Sequence, residues 1–388
     1  MPIVNRIADF HDEIKAWRQD IHAHPELLFD VHRTAGVVAD KLKSFGCDEV
    51  VTGIGRTGVV GVIRGKNGSG SRAIGLRADM DALPIEEATG LSYKSQNPGK
   101  MHACGHDGHT AMLLGAARYL AETRNFDGTA VVIFQPAEEG GGGGREMVND
   151  GMMDRFGIEE VYGMHNYPGF PIGDFAIRPG PMMAAADRIY IDIEGLGGHA
   201  ARPHTSIDTV VVGSAIVNAL QSIVARNVDP LESAVVSITQ FHAGTADNII
   251  PQTGQLRGTA RSLTPETRDL VEKRVREVVE GVGRLYGAKA TLTYKRDYPV
   301  TRNHDRQTAF AADVAAQVVG QERVDPAVPP VMGAEDFSYM LEARPGAFIF
   351  IGNGDSAGLH HPQYNFNDEV IPYGTSYWIK LVETALRA

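Results

Sequence analysis

Hydrophobic and polar residues follow two different periods along the first part of the chain. Residues 5–45 carry apolar residues at helical spacing, and the break at His24-Pro25 predicts two helices. Val, Ile and Gly dominate residues 50–76, which predicts strands joined by a hairpin turn. The turn sequence GIGRTG matches the pattern GxGxxG, but a strand rather than a helix follows it, so nucleotide binding is not expected.

Apolar strands that end in chemically active residues come next. The run AIGLRADMDALPI includes acids at Asp79 and Asp81, and TAVVIFQPAEEGGGGG leads into Glu138 and Glu139 before a five-glycine loop. A helical pattern separates these two runs, and EEVYGMHN predicts a further strand that ends at His165. This alternation predicts an α/β domain whose functional residues lie at the ends of its strands.

The pattern changes around residue 184. Between residues 184 and 298 we predict four alternating strands and two amphipathic helices, the content of a small α+β domain. After Pro299 the chain returns to helix, strand and loop patterns. The predicted fold is therefore a discontinuous α/β domain of residues 1–183 and 299–388, with a mixed, mostly parallel sheet flanked by helices. Residues 184–298 form an inserted α+β domain with a four-stranded sheet.

Composition narrows the classes of function. The chain of 388 residues is 43% hydrophobic and has a net charge of −11, and an acidic protein lacks the basic stripe that nucleic acids require. No apolar run approaches the ~20 residues that span a bilayer, and the N-terminal residues lack the apolar core of a signal peptide. Two cysteines, Cys47 and Cys104, provide no disulfide framework. We expect a cytoplasmic enzyme that binds neither nucleic acid nor membranes.

The run MHACGHDGH, residues 101–109, carries the side chains that borderline metals prefer. Cys104 and His106 are separated by one glycine and project from a tight turn. Thiolate and imidazole are ligands for zinc and similar metals. Taken alone, the run is also compatible with a loop that holds a buried cysteine and surface histidines.

Three further clusters contain metal-binding side chains. They are Glu138 with Glu139, His165, and His360 with His361. Together with Cys104 and His106 they supply five or six ligands, whereas a catalytic zinc uses three protein ligands and a water. The surplus predicts two metal ions about 3.5–4 Å apart that share a bridging ligand. Each cluster alone could be a solvated strand end or a loop histidine. The prediction of a metal site fails only if these alternative interpretations are all correct.

Eight motifs occur in order across nearly the whole chain: RADMDALPI, MHACGHDGHT, QPAEEG, GMHN, GGHAARPH, NIIP, GAEDFSYM and LHHPQYNFND. They resemble the M20 family of metallopeptidases, specifically its amidohydrolase branch. That branch includes hippurate hydrolases, aminoacylases, N-acyl-diaminopimelate deacetylases and plant indole-3-acetyl-amino acid hydrolases. The set of motifs is long and specific, so the chain is identified as a member of this family.

The resemblance implies five metal ligands: Cys104, His106, Glu139, His165 and His360. It implies Glu138 as the general base, and His361 stays the alternative to His360. Cys104 would be the bridging or near-bridging ligand. Arg77 stands where carboxypeptidase-like relatives have a ligand histidine, so Asp79 is expected to lie behind the ligands. Asp107 is expected to orient a histidine ligand in the same way.

The resemblance also implies that the inserted domain is a lid and dimerisation domain. His199 would reach across a dimer toward the partner's active site, and Asn248 and Arg261 would hold the substrate carboxylate or the developing oxyanion. Without the resemblance, Asn248 would be interpreted as a turn residue and Arg261 as part of a cross-strand salt bridge. A homodimer or homotetramer is implied.

These observations predict a metal-dependent amidohydrolase that cleaves a small-molecule N-acyl-L-amino acid, hippurate-like, N-acetyl or aryl-acetyl, to a carboxylic acid and a free amino acid. Two divalent ions per subunit are expected, drawn from zinc, manganese, cobalt or nickel. One alternative is a dipeptidase or carboxypeptidase of the same superfamily, and another is a metal-binding protein without catalysis. Glu138 beside the ligands favours an enzyme, because a structural metal site needs no base.

Overall fold

The structure is a computed structural model that describes residues 4–66 and 72–387. The chain forms two compact units. The larger unit comprises Met1–Met182, Arg302–Pro329 and Asp336–Ala388, and the smaller unit comprises Met183–Thr301 and Pro330–Glu335.

The smaller unit includes a segment that the sequence pattern assigned to the other domain. Pro330–Glu335 belongs to it because Ala184 N donates hydrogen bonds to Val331 O at 3.1 Å and to Gly333 O at 2.8 Å. The boundaries at residues 184 and 298 stay a prediction of the domain organisation.

The described residues form α-helices, strands and three short 3-10 helices. The helices are α1 (Asn5–Ala23), α2 (His32–Ser44), α3 (His106–Thr123), α4 (Gly143–Asn149), α5 (Met152–Arg155), α6 (Thr209–Arg226), α7 (Pro265–Tyr286), α8 (Asp305–Val319), α9 (Ser338–Ala343) and α10 (Ile371–Ala385). The strands are β1 (Glu49–Ile54), β2 (Gly58–Arg64), β3 (Ala73–Asp79), β4 (Thr129–Gln135), β5 (Ile158–Tyr167), β6 (Phe175–Ala176), β7 (Gly180–Met183), β8 (Ala185–Glu194), β9 (Gly198–His199), β10 (Ala234–Ala243), β11 (Ile249–Ile250), β12 (Thr253–Ser262), β13 (Lys289–Arg296), β14 (Thr301–Asn303), β15 (Val324–Asp325) and β16 (Gly346–Gly352). The 3-10 helices are Pro203–Thr205, Gln321–Arg323 and Asp368–Val370.

An eight-stranded mixed sheet forms the centre of the larger unit, in the order β1-β2-β4-β3-β5-β16-β6-β15. The pairings of β4 with β3, β3 with β5, and β5 with β16 are parallel, whereas β1, β2 and β6 join by antiparallel pairing. Every residue of β3 and β16 is buried, as expected for strands whose two faces are both covered. The predicted mixed, mostly parallel sheet flanked by helices is confirmed.

The parallel strands determine where the functional residues lie. Adjacent parallel strands end at the same edge of a sheet, and Asp79 at the end of β3 is paired with Gln135 at the end of β4. β5 continues two residues beyond the predicted end at His165, because its pairing with β16 extends to Tyr167 opposite Gly352. The GIGRTG segment turns between the antiparallel strands β1 and β2, which confirms its assignment as a turn.

The smaller unit contains a four-stranded antiparallel sheet in the order β10-β12-β8-β13, with α6 and α7 packed against it. Its core is apolar because alternate residues of β8, such as Ile189, Ile191 and Ile193, face the helices. Asp208 caps α6 by accepting hydrogen bonds from Val210 N and Val211 N. The predicted four strands and two helices are confirmed.

The helix α6 bears on the expectation that no apolar run of the chain is long enough to span a membrane. Within residues 4–66 and 72–387, α6 is long and apolar enough to cross a membrane by length and composition alone. Val212, Ile216 and Leu220 of this helix are buried in the core of the smaller unit. A helix that packs its apolar face on a sheet meets the same criterion of length and composition, so α6 is weak evidence for a membrane span.

Candidate metal centre

The turn before α3 brings Cys104 and His106 together. Gly105 lies between them with φ +93°, and a Cβ atom there would lie 2.2 Å from Asn166 Nδ2 and 2.6 Å from Tyr364 Oη. Glycine is therefore required for both the backbone conformation and the close approach. Cys104 and His106 are both buried as a result.

The five side chains predicted as metal ligands lie in one cluster. Cys104 Sγ is 3.3 Å from His165 Nε2, and Glu139 Oε1 is 3.3 Å from His360 Nε2. His106 Nε2 lies 3.9 Å from Glu139 Oε1. The potential ligand atoms of Cys104, His106 and His165 all lie within 4.8 Å of one another, and the same holds for Cys104, Glu139 and His360. Thiolate, imidazole and carboxylate donors at such separations suit divalent transition metals.

Two histidine rings are held so that one nitrogen faces the cluster. His106 Nδ1 lies 2.8 Å from Asp81 O, and His165 Nδ1 lies 2.7 Å from Asn166 O. Because a carbonyl oxygen only accepts hydrogen bonds, each Nδ1 carries a proton, and in the neutral ring each Nε2 presents a lone pair. This arrangement is the usual one for metal-binding histidines.

His109 lies beside the cluster but has both ring nitrogens engaged. Its Nδ1 is 2.6 Å from Asp79 Oδ1, and its Nε2 accepts a hydrogen bond from Asn166 N at 3.0 Å. The ring therefore offers no free lone pair to a metal. His109 supports Asp79 and the segment that carries His165.

The donor set fits a cation. His106 Nε2 is buried without a hydrogen-bond partner, which is costly for a polar atom unless something binds it. Burial raises the pKa of the Cys104 thiol well above its usual range, and the charges of Glu139 and Glu138 raise it further. Burial alone would lower the pKa of His106, but Asp79, Asp81 and Glu139 raise it to about 10. A divalent cation would reverse both effects and favour thiolate and neutral imidazole.

Asp79 is held behind the ligands by a buried network. Its Oδ2 accepts a hydrogen bond from Arg77 Nη1 at 2.7 Å and lies 3.6 Å from His106 Nε2. Arg77 also donates to Gln135 Oε1 at 2.9 Å and to Asp336 Oδ1 at 3.1 Å. The guanidinium group thus separates two buried carboxylates that would otherwise repel each other.

Asp107 contacts residues outside the predicted ligand set. Its Oδ2 accepts hydrogen bonds from His22 Nδ1 at 2.8 Å and Arg18 Nη1 at 3.1 Å, and its expected role in orienting a ligand histidine stays a prediction. Both partners belong to α1, and neither lies among the predicted ligands. Asp107 therefore joins α1 to the start of α3.

Glu138, the predicted base, is buried at the rim of the cluster. Its Oε2 lies 4.0 Å from His106 Nε2, and its backbone N donates to Asp81 Oδ1 at 2.9 Å. Ala137, the preceding residue, has φ +55°, a conformation that non-glycine residues seldom adopt. The backbone is thus constrained on both sides of the point where Glu138 leaves it.

The two adjacent histidines near the C-terminus, His360 and His361, have different contacts. His360, with φ +63°, directs Nε2 toward Glu139 and donates its backbone N to Ala103 O at 2.7 Å. His361 is exposed, and its Nδ1 accepts a hydrogen bond from Gln363 N at 3.1 Å. The geometry therefore places His360, rather than His361, in the cluster.

The predicted catalytic histidine and the two predicted substrate-binding residues lie in the smaller unit. His199 on β9 pairs with Ile249 on β11, and Ala200 N donates to Asn248 O at 3.0 Å, so His199 and Asn248 share one two-stranded ribbon. Both side chains are exposed. Arg261 lies apart from this ribbon on β12 of the four-stranded sheet, where its Nη1 donates to Ala260 O at 2.9 Å.

Several residues that build the site were not identified as functional from sequence. They are Asp81, His109, Gln135, Asn166 and Asp336. All lie within the motifs on which the family resemblance rests. Their position gave a signal, but their roles depend on partners that are distant in the chain.

Thiolate, imidazole and carboxylate donors lie together at the edge of the mixed sheet, beside an additional glutamate. This α/β fold and this site define a metal-dependent amidohydrolase. Residues 75–384 match the peptidase family M20/M25/M40, and the chain belongs to this family. The M20 resemblance drawn from the motifs is confirmed.

Individual proteins agree with this assignment. The chain is 43% identical over 381 residues to the hippurate hydrolase of Campylobacter jejuni, covering 98% of each chain. It is 39% identical over 375 residues to thermostable carboxypeptidase 1 of Saccharolobus solfataricus, covering 94% of this chain and 93% of that protein. The crystal structure of Bacillus subtilis YxeP, a dinuclear metal-binding peptidase of the M20 family, is similar with a TM-score of 0.85 and 33% identity, covering 98% of this chain and 99% of that one.

Proposed function

We propose that this protein hydrolyses the amide bond of N-acyl-L-amino acids, releasing a carboxylic acid and a free amino acid. The observation that carries the proposal is a buried glutamate, Glu138, beside a cluster of five potential metal ligands. A structural metal site needs ligands but no further carboxylate. The similarity to a hippurate hydrolase, whose name denotes an N-acyl amino acid substrate, supports this substrate class.

Two divalent metal ions would be held by Cys104, His106, Glu139, His165 and His360. Ions in such a site lower the pKa of bound water toward ~7 and polarise a carbonyl oxygen. The similarity to a dinuclear metal-binding peptidase supports two ions rather than one. Zinc, manganese, cobalt and nickel all suit this mixture of ligands.

Glu138 would perform the proton transfers. Its carboxylate accepts a proton from the attacking water and then returns that proton to the nitrogen of the leaving amine. A general base must lie within hydrogen-bond reach of the proton that it takes, and Glu138 Oε2 lies only 4.0 Å from the ligand atom of His106.

The smaller unit would bind the substrate. His199 is proposed to stabilise the oxyanion that forms when water attacks the carbonyl, and Asn248 and Arg261 to hold the oxyanion or the α-carboxylate of the amino acid. These roles rest on the family resemblance. We further propose a homodimer or homotetramer in which His199 serves the partner's active site, and a cytoplasmic location. Light scattering of the purified protein tests the oligomeric state.

The second candidate is a carboxypeptidase or dipeptidase, which the 39% identity to a thermostable carboxypeptidase favours. Both reactions cleave an amide next to a free carboxylate, so the same residues serve either one. The two candidates differ only in whether the acyl side is a simple acid or an amino acid residue.

A panel of substrates separates these candidates. Protein loaded in turn with zinc, manganese, cobalt and nickel is assayed with N-benzoylglycine, N-acetyl amino acids, dipeptides and N-blocked peptides. We expect the highest kcat/KM for an N-acyl amino acid and loss of turnover after chelation. Higher kcat/KM for dipeptides or blocked peptides would favour the alternative, and turnover that survives complete metal removal would contradict both.

A further inference from the structure

We propose that Asp81 is a positioning residue that aligns the general base and two metal ligands at once. Its carboxylate holds the backbone of Glu138 and Glu139, and its carbonyl oxygen holds the ring of His106. The part of this inference that concerns Glu138 rests on the proposed function. The part that concerns metal binding does not.

The carboxylate of Asp81 spans two successive amides. Oδ1 accepts a hydrogen bond from Glu138 N at 2.9 Å, and Oδ2 accepts one from Glu139 N at 3.1 Å. Asp81 is fully buried, so no water competes for these oxygens. Successive backbone N–H groups form a concave site for an anion, and here the anion belongs to the protein itself.

The segment that Asp81 holds needs such support. Ala137 immediately precedes it with φ +55°, and a non-glycine residue remains in this region only when its surroundings fix it. Ala137 N donates to Leu28 O at 3.1 Å, which anchors one side of the residue. The carboxylate of Asp81 anchors the other side, from which the side chains of Glu138 and Glu139 emerge.

The same residue determines the orientation of His106. The ring Nδ1 lies 2.8 Å from Asp81 O and 3.5 Å from Asp81 Oδ1, so Nε2 faces the ligand cluster. Asp81 therefore connects the loop after β4 to the start of α3, two segments that meet only in the folded protein. A shift of Asp81 would move a ligand from each segment and the base together.

The chain offers a matched control for this geometry. Glu26 also spans two successive amides, with Oε1 accepting from Arg33 N at 2.9 Å and Oε2 accepting from Thr34 N at 2.8 Å. This second carboxylate holds the start of α2 and contacts none of the predicted ligands through its side chain. Asp81→Asn and Glu26→Gln each remove one charge and replace one accepting oxygen by a donating amide group.

The test compares affinities for Zn²⁺ and Mn²⁺ by competition with a chromogenic chelator, together with kcat and KM. We expect Asp81→Asn to weaken metal binding by about 10–100-fold, the range for removal of a group that orients a ligand. At saturating metal its kcat should fall while KM changes little. Glu26→Gln should retain metal affinity. Unchanged affinity in Asp81→Asn, or an equal loss in Glu26→Gln, would overturn the proposal.

Asp81→Glu keeps the carboxylate and guards against a folding failure. Circular dichroism identifies folded protein. Folded Asp81→Glu should bind metal more tightly than Asp81→Asn. If Asp81→Asn does not fold, folded Asp81→Glu should still bind metal in competition with the chelator. A folded Asp81→Glu protein that binds no metal overturns the proposal. Wild-type protein that binds metal but cleaves no N-acyl amino acid would contradict the proposed function alone, leaving the affinity comparison valid.

Discussion

The two units hold their chemically active side chains in opposite ways. In the larger unit, Cys104 and His106 are buried, and backbone carbonyls orient the ligand histidines. In the smaller unit, His199 and Asn248 are exposed on a two-stranded ribbon. Buried ligands must be arranged before a metal arrives, because moving them later would disturb close packing. Residues of the larger unit are therefore testable through metal affinity and stability, and those of the ribbon only through turnover.

The ion pair between Arg77 and Asp336 also differs in burial from most ion pairs on α7 of the smaller unit. Arg77 and Asp336 are completely buried in the larger unit. Most ion pairs on α7 of the smaller unit, such as Arg274 with Glu277, are exposed to solvent. Exposed pairs contribute little to stability, whereas removal of one partner from a buried pair leaves an uncompensated charge. Four substitutions sharpen this contrast.

Glu138→Gln should have the largest effect. Loss of the general base is expected to lower kcat by about 10²–10⁴-fold, while the five metal ligands stay in place. Elemental analysis measures bound metal, and steady-state kinetics measure kcat. Glu122→Gln, on the exposed part of α3, is the control and should retain turnover. Near-normal turnover of Glu138→Gln would remove Glu138 from the mechanism.

Arg77→Met should act on stability. The substitution leaves Asp79 and Asp336 buried without their shared cation, which costs about 3–5 kcal/mol in the free energy of unfolding. Urea denaturation followed by circular dichroism measures this change. Arg118→Met removes a partly exposed arginine that pairs with Glu13, and its cost should be at most about 1 kcal/mol. Equal costs for both variants would contradict the view that burial makes Arg77 important.

His199→Ala should affect only turnover. If the imidazole stabilises the oxyanion, its loss is expected to cost about 2.7–4 kcal/mol of transition-state stabilisation, or roughly 10²–10³-fold in kcat. Metal content and thermal stability should stay unchanged, because the side chain is exposed. His242→Ala, at another exposed histidine of the smaller unit, serves as the control. A drop in metal content with His199→Ala would contradict the division between the two units.

Asp208→Ala should have the smallest effect. The substitution removes the N-terminal cap of α6 and is expected to cost about 1 kcal/mol, confined to the smaller unit. Hydrogen exchange of the Val210 and Val211 amides measures the local change. Asp208→Asn should keep the cap, since asparagine is as good at this position. A change in metal affinity would show that the units do not behave separately.

Much of the fold was predictable because local patterns and global topology agree. Buried runs such as β3 and β4 contain residues that favour strands, and both the break after α1 and the hairpin between β1 and β2 follow from local residue types. The short Pro330–Glu335 segment lies in the smaller unit although the sequence pattern placed it with the other domain, since its membership depends on hydrogen bonds to Ala184. Local sequence carries no information about such distant partners.

The sequence by itself determined the chemistry of the site. Cys104, His106 and Glu139 are recognisable as potential ligands from residue type and from their position after apolar runs, and parallel strands carry such residues to one edge. Only the tertiary structure decided how these residues are supported. Asp107 bonds to His22 rather than to a ligand, and Arg77 meets Asp336 across 259 positions of the chain. The physical reason is that ligand chemistry belongs to single residues, whereas a buried hydrogen bond requires two distant groups to meet within about 3 Å, which depends on packing of the whole core.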